Sequence, residues 1–184
     1  MTATISGYGV QLRLLSAEYL ELIRGWRNHP EVARYMADQE PITAERQRIW
    51  FQEISLSDRC AYYLIFFRSA PIGVINIQSR DNRPLAESRV IEPGMYLAYD
   101  SPYRGTLLAF SPALVMNDYC FEQLNCHRVV ARVKRDNRAA LRFNEKLGYR
   151  PVEERDGYVH LELDAPKHRQ ARRQLQRFIH FKED

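Results

Sequence analysis

The order of hydrophobic segments along the chain predicts an α/β (α+β) domain built around a mixed sheet. Two observations support this. Residues 61–67 and 72–77 are rich in aromatic and β-branched side chains and are separated by a short turn, which is typical of an antiparallel hairpin. Helical patterns over 108–124 and 137–147 each stand between strand-like segments, as expected of helices that connect strands of one sheet.

The first part of the chain is predicted as one strand followed by three helices. Residues 11–15 follow a glycine and form the strand, and Ser16 stands where the N-cap of a helix running to about residue 27 is expected. Pro30 opens a short second helix and Thr43 caps a third. An apolar stripe is expected on that third helix at Ile49, Trp50 and Ile54.

Six further strands complete the predicted sheet, giving about seven in all. They are the hairpin 61–67 and 72–77, a strand at 95–99 with an irregular or bulged start beside Pro93, and segments 128–133, 150–154 and 158–163. Residues 79–89 are polar and are predicted as a loop. A terminal helix opened by Pro166 is expected to carry three apolar residues on one side: Ala171, Leu175 and Phe178.

Length and charge predict one domain with a short appendage. The 184 residues suffice for a single hydrophobic core, here residues 1–165, followed by a basic C-terminal helix or tail at 166–184. That tail holds six basic and two acidic residues, so the body carries 21 charges of each sign and is neutral. A neutral body argues against a nucleic-acid partner.

Cysteine usage and hydropathy further narrow the class of protein to which the chain can belong. The three cysteines, Cys60, Cys120 and Cys126, form no CxxC or Cys/His cluster, which favours reduced thiols and argues against a metal site or a disulfide framework. No stretch approaches the roughly 20 apolar residues that span a bilayer. The N-terminus also lacks the pattern of a signal peptide. We therefore expect a cytoplasmic protein with no membrane partner.

Residues 103–109 form a strand-to-helix turn that suits phosphate binding. Backbone N–H groups at a helix N-terminus bind phosphate oxygens, and Arg104 adds a fork of donors. One strand later, Asp136 or Asn137 caps a helix that ends at Gly148, a C′ glycine. Neither feature is specific alone, because many strand–helix turns and capped helices bind nothing.

Together, however, residues 92–150 resemble the core of the GNAT acetyltransferases. Glu92-Pro93-Gly94-Met95-Tyr96-Leu97 resembles the family's fourth strand, and Arg104-Gly105-Thr106-Leu107-Leu108-Ala109 resembles its R/Q-x-x-G-x-G/A pyrophosphate loop. His127-Arg128-Val129, Asn137-x-x-Ala140 and Glu145-Lys146-Leu147-Gly148-Tyr149 resemble the fifth strand and the helix after it. The resemblance implies the GNAT fold, with a mostly antiparallel sheet, helices on both faces and splayed fourth and fifth strands.

The resemblance also implies acetyl-CoA as co-substrate and assigns residues to it. Pantetheine would bond the backbone near Leu97 and Ala98, and the pyrophosphate would lie over the N–H groups of residues 105–109. Asn137 would contact the cofactor arm, and Asn144 occupies the position where many members carry a tyrosine that protonates the leaving thiolate. Leu107 replaces the loop's first glycine, where a side chain could crowd the phosphates or bar a positive φ.

Acyl transfer to an amine requires a base, because only the neutral amine attacks a thioester. Glu92 matches the position where the family often has a base glutamate, acting directly or through water. His29 has a suitable intrinsic pKa, but a histidine beside Pro30 is more often a turn residue. The general acid is left unassigned among Tyr99, Tyr103, Tyr149 and solvent.

The acceptor site is expected in the early helices and the 79–89 loop. The pattern formed by Trp26, Arg27, Asn28 and Met36 resembles the N-acetyltransferases of the pseudaminic acid pathway, which acetylate a UDP-linked 4-amino sugar. It is partly shared with acetyltransferases acting on ribosomal-protein N-termini. A small-molecule amine is therefore expected, with a nucleotide sugar favoured and arginines at 27, 80, 83 and 89 available to UDP. Protein N-terminal acetylation, a non-catalytic acetyl-CoA-binding domain and a homodimer stay open.

Overall fold

The computed structural model describes residues 2–36 and 38–179. An eight-stranded sheet forms the centre of this part of the chain, in the order β1-β2-β3-β4-β5-β6-β8-β7. The strands are β1 Thr4–Gly7, β2 Val10–Leu14, β3 Cys60–Phe67, β4 Ala70–Ser79, β5 Val90–Leu97, β6 Arg128–Lys134, β7 Arg150–Arg155 and β8 Tyr158–Leu163. All neighbours are antiparallel except β5 and β6. The mixed, mostly antiparallel sheet is therefore confirmed.

Helices cover both faces of the sheet, as expected. They are α1 Leu20–Asn28, α2 Pro30–Ala33, α3 Ala44–Leu56, α4 Ser111–Asp118, α5 Arg138–Lys146 and α6 Ala165–Gln176. The side chains of α1 and α3 pack on one face in a smaller apolar cluster that contains Leu64, Val74 and Ala98. Those of α4, α5 and α6 pack with a larger cluster on the other face.

Two of the predicted helix caps are confirmed, at Thr43 and Asn137, and one, at Ser16, is not. Thr43 Oγ1 accepts a hydrogen bond from the Arg46 N–H at 3.2 Å, and Asn137 Oδ1 accepts one from the Ala140 N–H at 3.0 Å. Gly148 follows α5 with a φ of +93°, as a C′ glycine does. Ser16 makes no side-chain cap, and a short 3₁₀ turn at Ala17–Tyr19 precedes α1.

Three expectations about the sheet were wrong. The sheet has eight strands rather than seven, because a tight turn at Tyr8 and Gly9, both at positive φ, adds β1 as a hairpin partner of β2. β5 starts at Val90, five residues earlier than predicted. Its register with β4 is continuous from Ile91 to Leu97, so Pro93 causes no bulge.

Two predicted apolar side chains do not face the core. Ile49 of α3 is half exposed, whereas Trp50 and Ile54 pack against the smaller cluster. Phe178 lies beyond the end of α6 and is exposed, whereas Ala171 and Leu175 are buried. The predicted helix over 108–124 is a 3₁₀ turn, α4 and a π-helical turn at Tyr119–Gln123 in succession.

Candidate active site

The two parallel strands at the centre of the sheet separate after a short contact. β5 and β6 pair only at Val90 with Arg128 and at Ile91 with Val129. Beyond that point β5 continues beside β4 to Leu97, and β6 continues beside β8 to Lys134. A wedge therefore opens between two strand edges whose backbone groups are free to pair with a ligand.

The ladder with β4 decides which backbone groups of β5 face this wedge. The Ala98 N–H donates to the Ile72 carbonyl at 2.9 Å, and hydrogen-bonded pairs alternate along an antiparallel ladder. Residues 92, 94 and 96 therefore also bond to β4, whereas Met95 and Leu97 point their backbone groups into the wedge. Of the two predicted pantetheine contacts, Leu97 offers free groups and the N–H of Ala98 is already used.

The wedge leads to the turn that the sequence indicated as a phosphate site. Within it the Thr106 N–H donates to the Tyr103 carbonyl and the Ala109 N–H to the Thr106 carbonyl, both at 3.2 Å. None of the hydrogen bonds in this turn uses the N–H groups of Gly105, Leu107 or Leu108. Three donors at the start of a helical segment form a suitable cradle for an anion.

Leu107 imposes no strain on this turn. Positive φ occurs at Gly105, with φ +74°, and not at Leu107. The Leu107 side chain is 45% exposed and does not fill the turn, whereas Leu108 is buried beneath it. The departure from the family glycine is therefore compatible with the backbone that the turn adopts.

Arg104 is directed towards α2. Its Nη1 donates to Glu31 Oε2 at 2.7 Å and to the Tyr99 carbonyl at 2.9 Å. The imidazole of His29 stacks on the Tyr99 ring with centroids 3.7 Å apart, and its Nδ1 accepts from the Glu31 N–H as the cap of α2. The turn is thus tied to the corner between α1 and α2, and His29 has the turn role that its position beside proline suggested.

The two asparagines of the α5 region keep part of their amides free. Asn137 uses its oxygen to cap α5, which leaves its NH₂ group for a ligand. Asn144 donates from Nδ2 to the Ala140 carbonyl at 2.9 Å, which leaves its oxygen. Their predicted cofactor contacts stay predictions.

The neighbouring tyrosines occupy different environments. Tyr149 is buried, its hydroxyl donates to Asn117 Oδ1 at 3.3 Å, and burial raises its pKa well above the ordinary value. Tyr103 packs edge-on against Phe67, with ring centroids 4.8 Å apart. Tyr99 remains partly exposed beside His29. Burial makes Tyr149 unsuited to proton transfer with a ligand.

Glu92, the predicted base, stands where the strands separate. It alternates with Ile91 along β5, so its side chain lies on the sheet face covered by α1 and α3, the same face as Tyr96. Its Oε2 is 2.8 Å from Arg80 Nε, and its side chain is 23% exposed. A carboxylate at the mouth of the wedge is accessible to an amine on that face.

The corner after α1 supplies the other predicted acceptor residues. Trp26 is buried in the smaller cluster, and Met36 is partly buried. The Asn28 amide accepts from the Ile42 N–H at 2.8 Å and donates to the Ile42 carbonyl at 2.9 Å, so it fastens the segment before α3. Arg27 donates from Nη2 to the Asp38 carbonyl, whereas its buried Nη1 has no hydrogen-bond partner among residues 2–36 and 38–179.

Sequence reasoning missed a group of polar residues on this sheet face: Tyr62, Asn76, Gln78 and Tyr96. Tyr96 is deeply buried, and burial raises its pKa well above the ordinary value. Asn76 and Gln78 stand two residues apart in a strand that is otherwise apolar on this face. That spacing was the available signal, because polar residues at i and i+2 share one face.

No group of three or more His, Cys, Asp or Glu side chains in residues 2–36 and 38–179 is arranged to hold a metal ion. Over the same residues, no helix has the length and apolar character needed to cross a membrane.

Comparison with known proteins gives a family match and several similar folds. Residues 10–150 match the family described as Acetyltransferase (GNAT) domain. The chain is 26% identical over 150 residues to an acetyltransferase named PseH from Campylobacter jejuni, covering 80% of this chain and 87% of that protein. The GNAT resemblance inferred from the sequence is therefore confirmed.

Two solved structures show the same fold at low identity. A protein described as apo FdhC, a nucleotide-linked sugar GNAT, superposes with a TM-score of 0.76 at 18% identity, over 98% of this chain and 100% of that one. A spermidine N-acetyltransferase from Vibrio cholerae in complex with CoA and spermine gives 0.74 at 16%, over 88% and 99%. With the match over residues 10–150 and the splayed strands that the family's fold predicts, the chain belongs to the GNAT family and is an acetyl-CoA-dependent N-acetyltransferase.

Proposed function

We propose that this enzyme acetylates the amine of a nucleotide-linked amino sugar, with a UDP-linked 4-amino sugar as the favoured acceptor. The resemblance of the Trp26–Met36 segment to the pseudaminic acid pathway enzymes and the match to PseH support this acceptor. The similarity in fold to a nucleotide-linked sugar GNAT is consistent with it.

The observation that carries the proposal is the charge of the sheet face on which Glu92 and Tyr96 lie, here called the acceptor face. Arg27, close to Tyr96, and Arg80 are both cations there; Arg80 is paired with Glu92, and the Asp38 carboxylate lies near Arg27. Burial lowers the pKa of Arg27, yet arginine stays charged at neutral pH. Guanidinium groups at this face favour an anionic acceptor such as a nucleoside diphosphate sugar over a polycation such as spermidine or an aminoglycoside.

Arg27 also has a hydrogen-bonding deficit that an acceptor could correct. Its buried Nη1 has no partner in the described residues, and a buried unsatisfied donor costs about 1–3 kcal/mol. A phosphate or carbonyl oxygen of a bound nucleotide would supply the missing acceptor. A charge-assisted bond of this kind is stronger than one between neutral groups.

The chemistry follows from the arrangement around the wedge. The thioester carbonyl would be polarised by a backbone N–H on the wedge side of β5, such as that of Leu97. Glu92 takes a proton from the ammonium or from an intervening water, and the freed amine nitrogen attacks the carbonyl carbon. The carbon–sulfur bond then breaks and the thiolate of CoA leaves; the nitrogen gives up its second proton to solvent, and the thiolate takes one from solvent. The products are an amide and CoA.

A panel of acceptors tests this proposal by thiol release from acetyl-CoA. The panel contains a UDP-linked 4-amino sugar, a ribosomal-protein N-terminal peptide, spermidine and an aminoglycoside. Turnover on the sugar nucleotide supports the proposal. Turnover on the peptide alone would keep the chemistry and refute the acceptor. Tight binding of acetyl-CoA without turnover on any amine would favour the non-catalytic alternative.

A further inference from the structure

A patch of polar side chains interrupts the apolar face of the sheet beside Glu92. Asn76 of β4 stands between Tyr62 of β3 and Gly94 of β5, and in the next row Gln78 pairs with Glu92. The rest of this face under α1 and α3 is apolar. Polar groups in such a position cost free energy unless they find partners, so the patch calls for an explanation.

Half of the patch is held in place by its own contacts. Gln78 Nε2 donates to the Tyr62 hydroxyl at 3.1 Å, and the Tyr62 ring meets Trp50 of α3 edge to face with centroids 4.9 Å apart. Burial, opposed by the bond from Gln78, raises the pKa of Tyr62, so the phenol is neutral at pH 7. Its own hydrogen remains available to an acceptor atom of a ligand.

The Asn76 amide lies directly over β5. A Cβ atom at residue 94 would be 2.7 Å from Asn76 Oδ1, closer than any real contact, so this position of the amide requires a glycine at 94. Asn76 is partly exposed, and its side chain makes no hydrogen bond with the other described residues. Its NH₂ group and its oxygen therefore keep hydrogen-bonding capacity for a ligand, beside Gly94 and two residues along β5 from the predicted base.

The backbone N–H and carbonyl of Gly94 do not point into the wedge between β5 and β6. Residue 94 is a hydrogen-bonding partner of residue 76 in the β4 ladder, whereas Met95 and Leu97 face the wedge. The close approach at residue 94 therefore serves the acceptor face and leaves the backbone groups facing the wedge unchanged.

We propose that Asn76 binds the acceptor, with its amide hydrogen-bonded to a ring hydroxyl or acylamino group next to the amine that Glu92 deprotonates. This inference rests on the proposed function and specifies which part of the acceptor Asn76 recognises. Asn76, Gln78 and Tyr62 offer donors and acceptors without charge, which suits a hydroxylated pyranose ring. The second ammonium of a polyamine would require a free carboxylate, and Glu92 is paired with Arg80.

The test compares Asn76→Ala, Gly94→Ala and the double variant in steady-state kinetics with the sugar nucleotide. Asn76→Ala should raise the acceptor KM about tenfold, as expected for the loss of one hydrogen bond, with the KM for acetyl-CoA unchanged. Gly94→Ala should act in the same direction, because its methyl group displaces the amide. In the double variant the steric conflict disappears, so its KM should match that of Asn76→Ala.

Two outcomes would overturn the inference. One is an acceptor KM that Asn76→Ala leaves unchanged, and the other is a double variant whose effects simply multiply. Gln52→Ala, which removes an exposed amide from α3, is the matched control and should change nothing. If the wild type fails to turn over the sugar nucleotide at all, the proposed function and this inference both fail, whereas an unchanged KM with an active wild type refutes the Asn76 role alone.

Discussion

At the scale of single residues, the acceptor face is defined by groups that have spare bonding capacity. Within the part of the chain that the structure describes, Glu92 has one ion-pair partner, Arg27 has a buried donor without an acceptor, and the Asn76 amide makes no hydrogen bond. By contrast, Asn28 and Tyr149 were also candidate site residues in the sequence, but their polar atoms form hydrogen bonds within the fold. A side chain's remaining capacity, rather than its type, separates binding groups from structural ones.

Replacement of Glu92 by glutamine should slow the reaction at neutral pH. The variant keeps the shape but cannot accept a proton, and loss of a general base costs about 10²–10⁴-fold in rate. The deficit should shrink as the pH rises towards the pKa of the acceptor amine, because the amine then deprotonates without help. Measurement of kcat against pH for both proteins checks this. A deficit that is constant over the whole range would show that Glu92 does not act as the base.

Replacement of Glu31 by glutamine should tighten the binding of CoA. Glu31 holds the Arg104 guanidinium at 2.7 Å, and its removal frees that cation for the pyrophosphate. Because exposed ion pairs contribute at most about 1 kcal/mol, a two- to fivefold lower Kd is expected by calorimetry. Glu45→Gln, an exposed acid on α3, serves as control. Weaker binding would mean instead that Glu31 positions Arg104 for the cofactor.

At the scale of elements, α6 is fastened to the body by a charged cluster that the sequence did not suggest. Asp118 at the end of α4 is contacted by the Tyr8 hydroxyl, by His168 Nε2 at 2.6 Å and by Arg172 Nη1 at 2.8 Å. These residues are far apart in sequence, so no local pattern reveals the cluster. The segment predicted as a basic C-terminal helix or tail begins as a docked helix with Ala171 and Leu175 buried.

Asp118 should make the free energy of unfolding fall as the pH is lowered into the acid range. Burial raises the pKa of its carboxyl, but the hydrogen bonds from His168, Tyr8 and Arg172 outweigh burial and hold the pKa below its ordinary value. The resulting stabilisation is complete above the unfolded pKa, about 4, and is lost as the pH falls through the folded value. Asp118→Asn should therefore lower the free energy of unfolding at pH 7 by about 2 kcal/mol.

Urea unfolding at several pH values measures both parts of this effect. The variant should show a smaller loss of stability below pH 4 than the wild type, because the titrating group has gone. Asp100→Asn, in an exposed loop, should match the wild type throughout. Equal acid sensitivity in wild type and Asp118→Asn would contradict the assigned role of the cluster.

Some helices and strands were predictable because neighbouring residues determine them. Caps such as Thr43 and Asn137 and the β3–β4 hairpin are local, so a few neighbouring residues determine them. The β1–β2 hairpin was missed because its turn places Tyr8 at positive φ, which few non-glycine residues adopt. The true start of β5 was missed because proline is rare within a sheet. Here the N–H that Pro93 lacks would point into the wedge, where no strand needs it.

At the scale of the whole molecule, the sheet brings together two sites that the sequence could only place in order. The phosphate turn and the GNAT strand pattern are contiguous segments, and this made the cofactor side predictable. The acceptor side combines β3, β4 and β5, which meet through strand pairing, with α1, which packs on them through its apolar side chains. The spacing of Asn76 and Gln78 is visible in the sequence, but their position beside Glu92 depends on those long-range contacts and emerged only from the structure.

We propose that the enzyme recognises its acceptor through the nucleotide. The most direct measurement compares kcat/KM for a UDP-linked 4-amino sugar with that for the same amino sugar lacking the nucleotide, at fixed ionic strength. Because two cations face the acceptor side, the free sugar should be at least about 100-fold poorer, which corresponds to two charge-assisted contacts. Equal values for the two acceptors would contradict the claim and point to an amine that is recognised without a nucleotide.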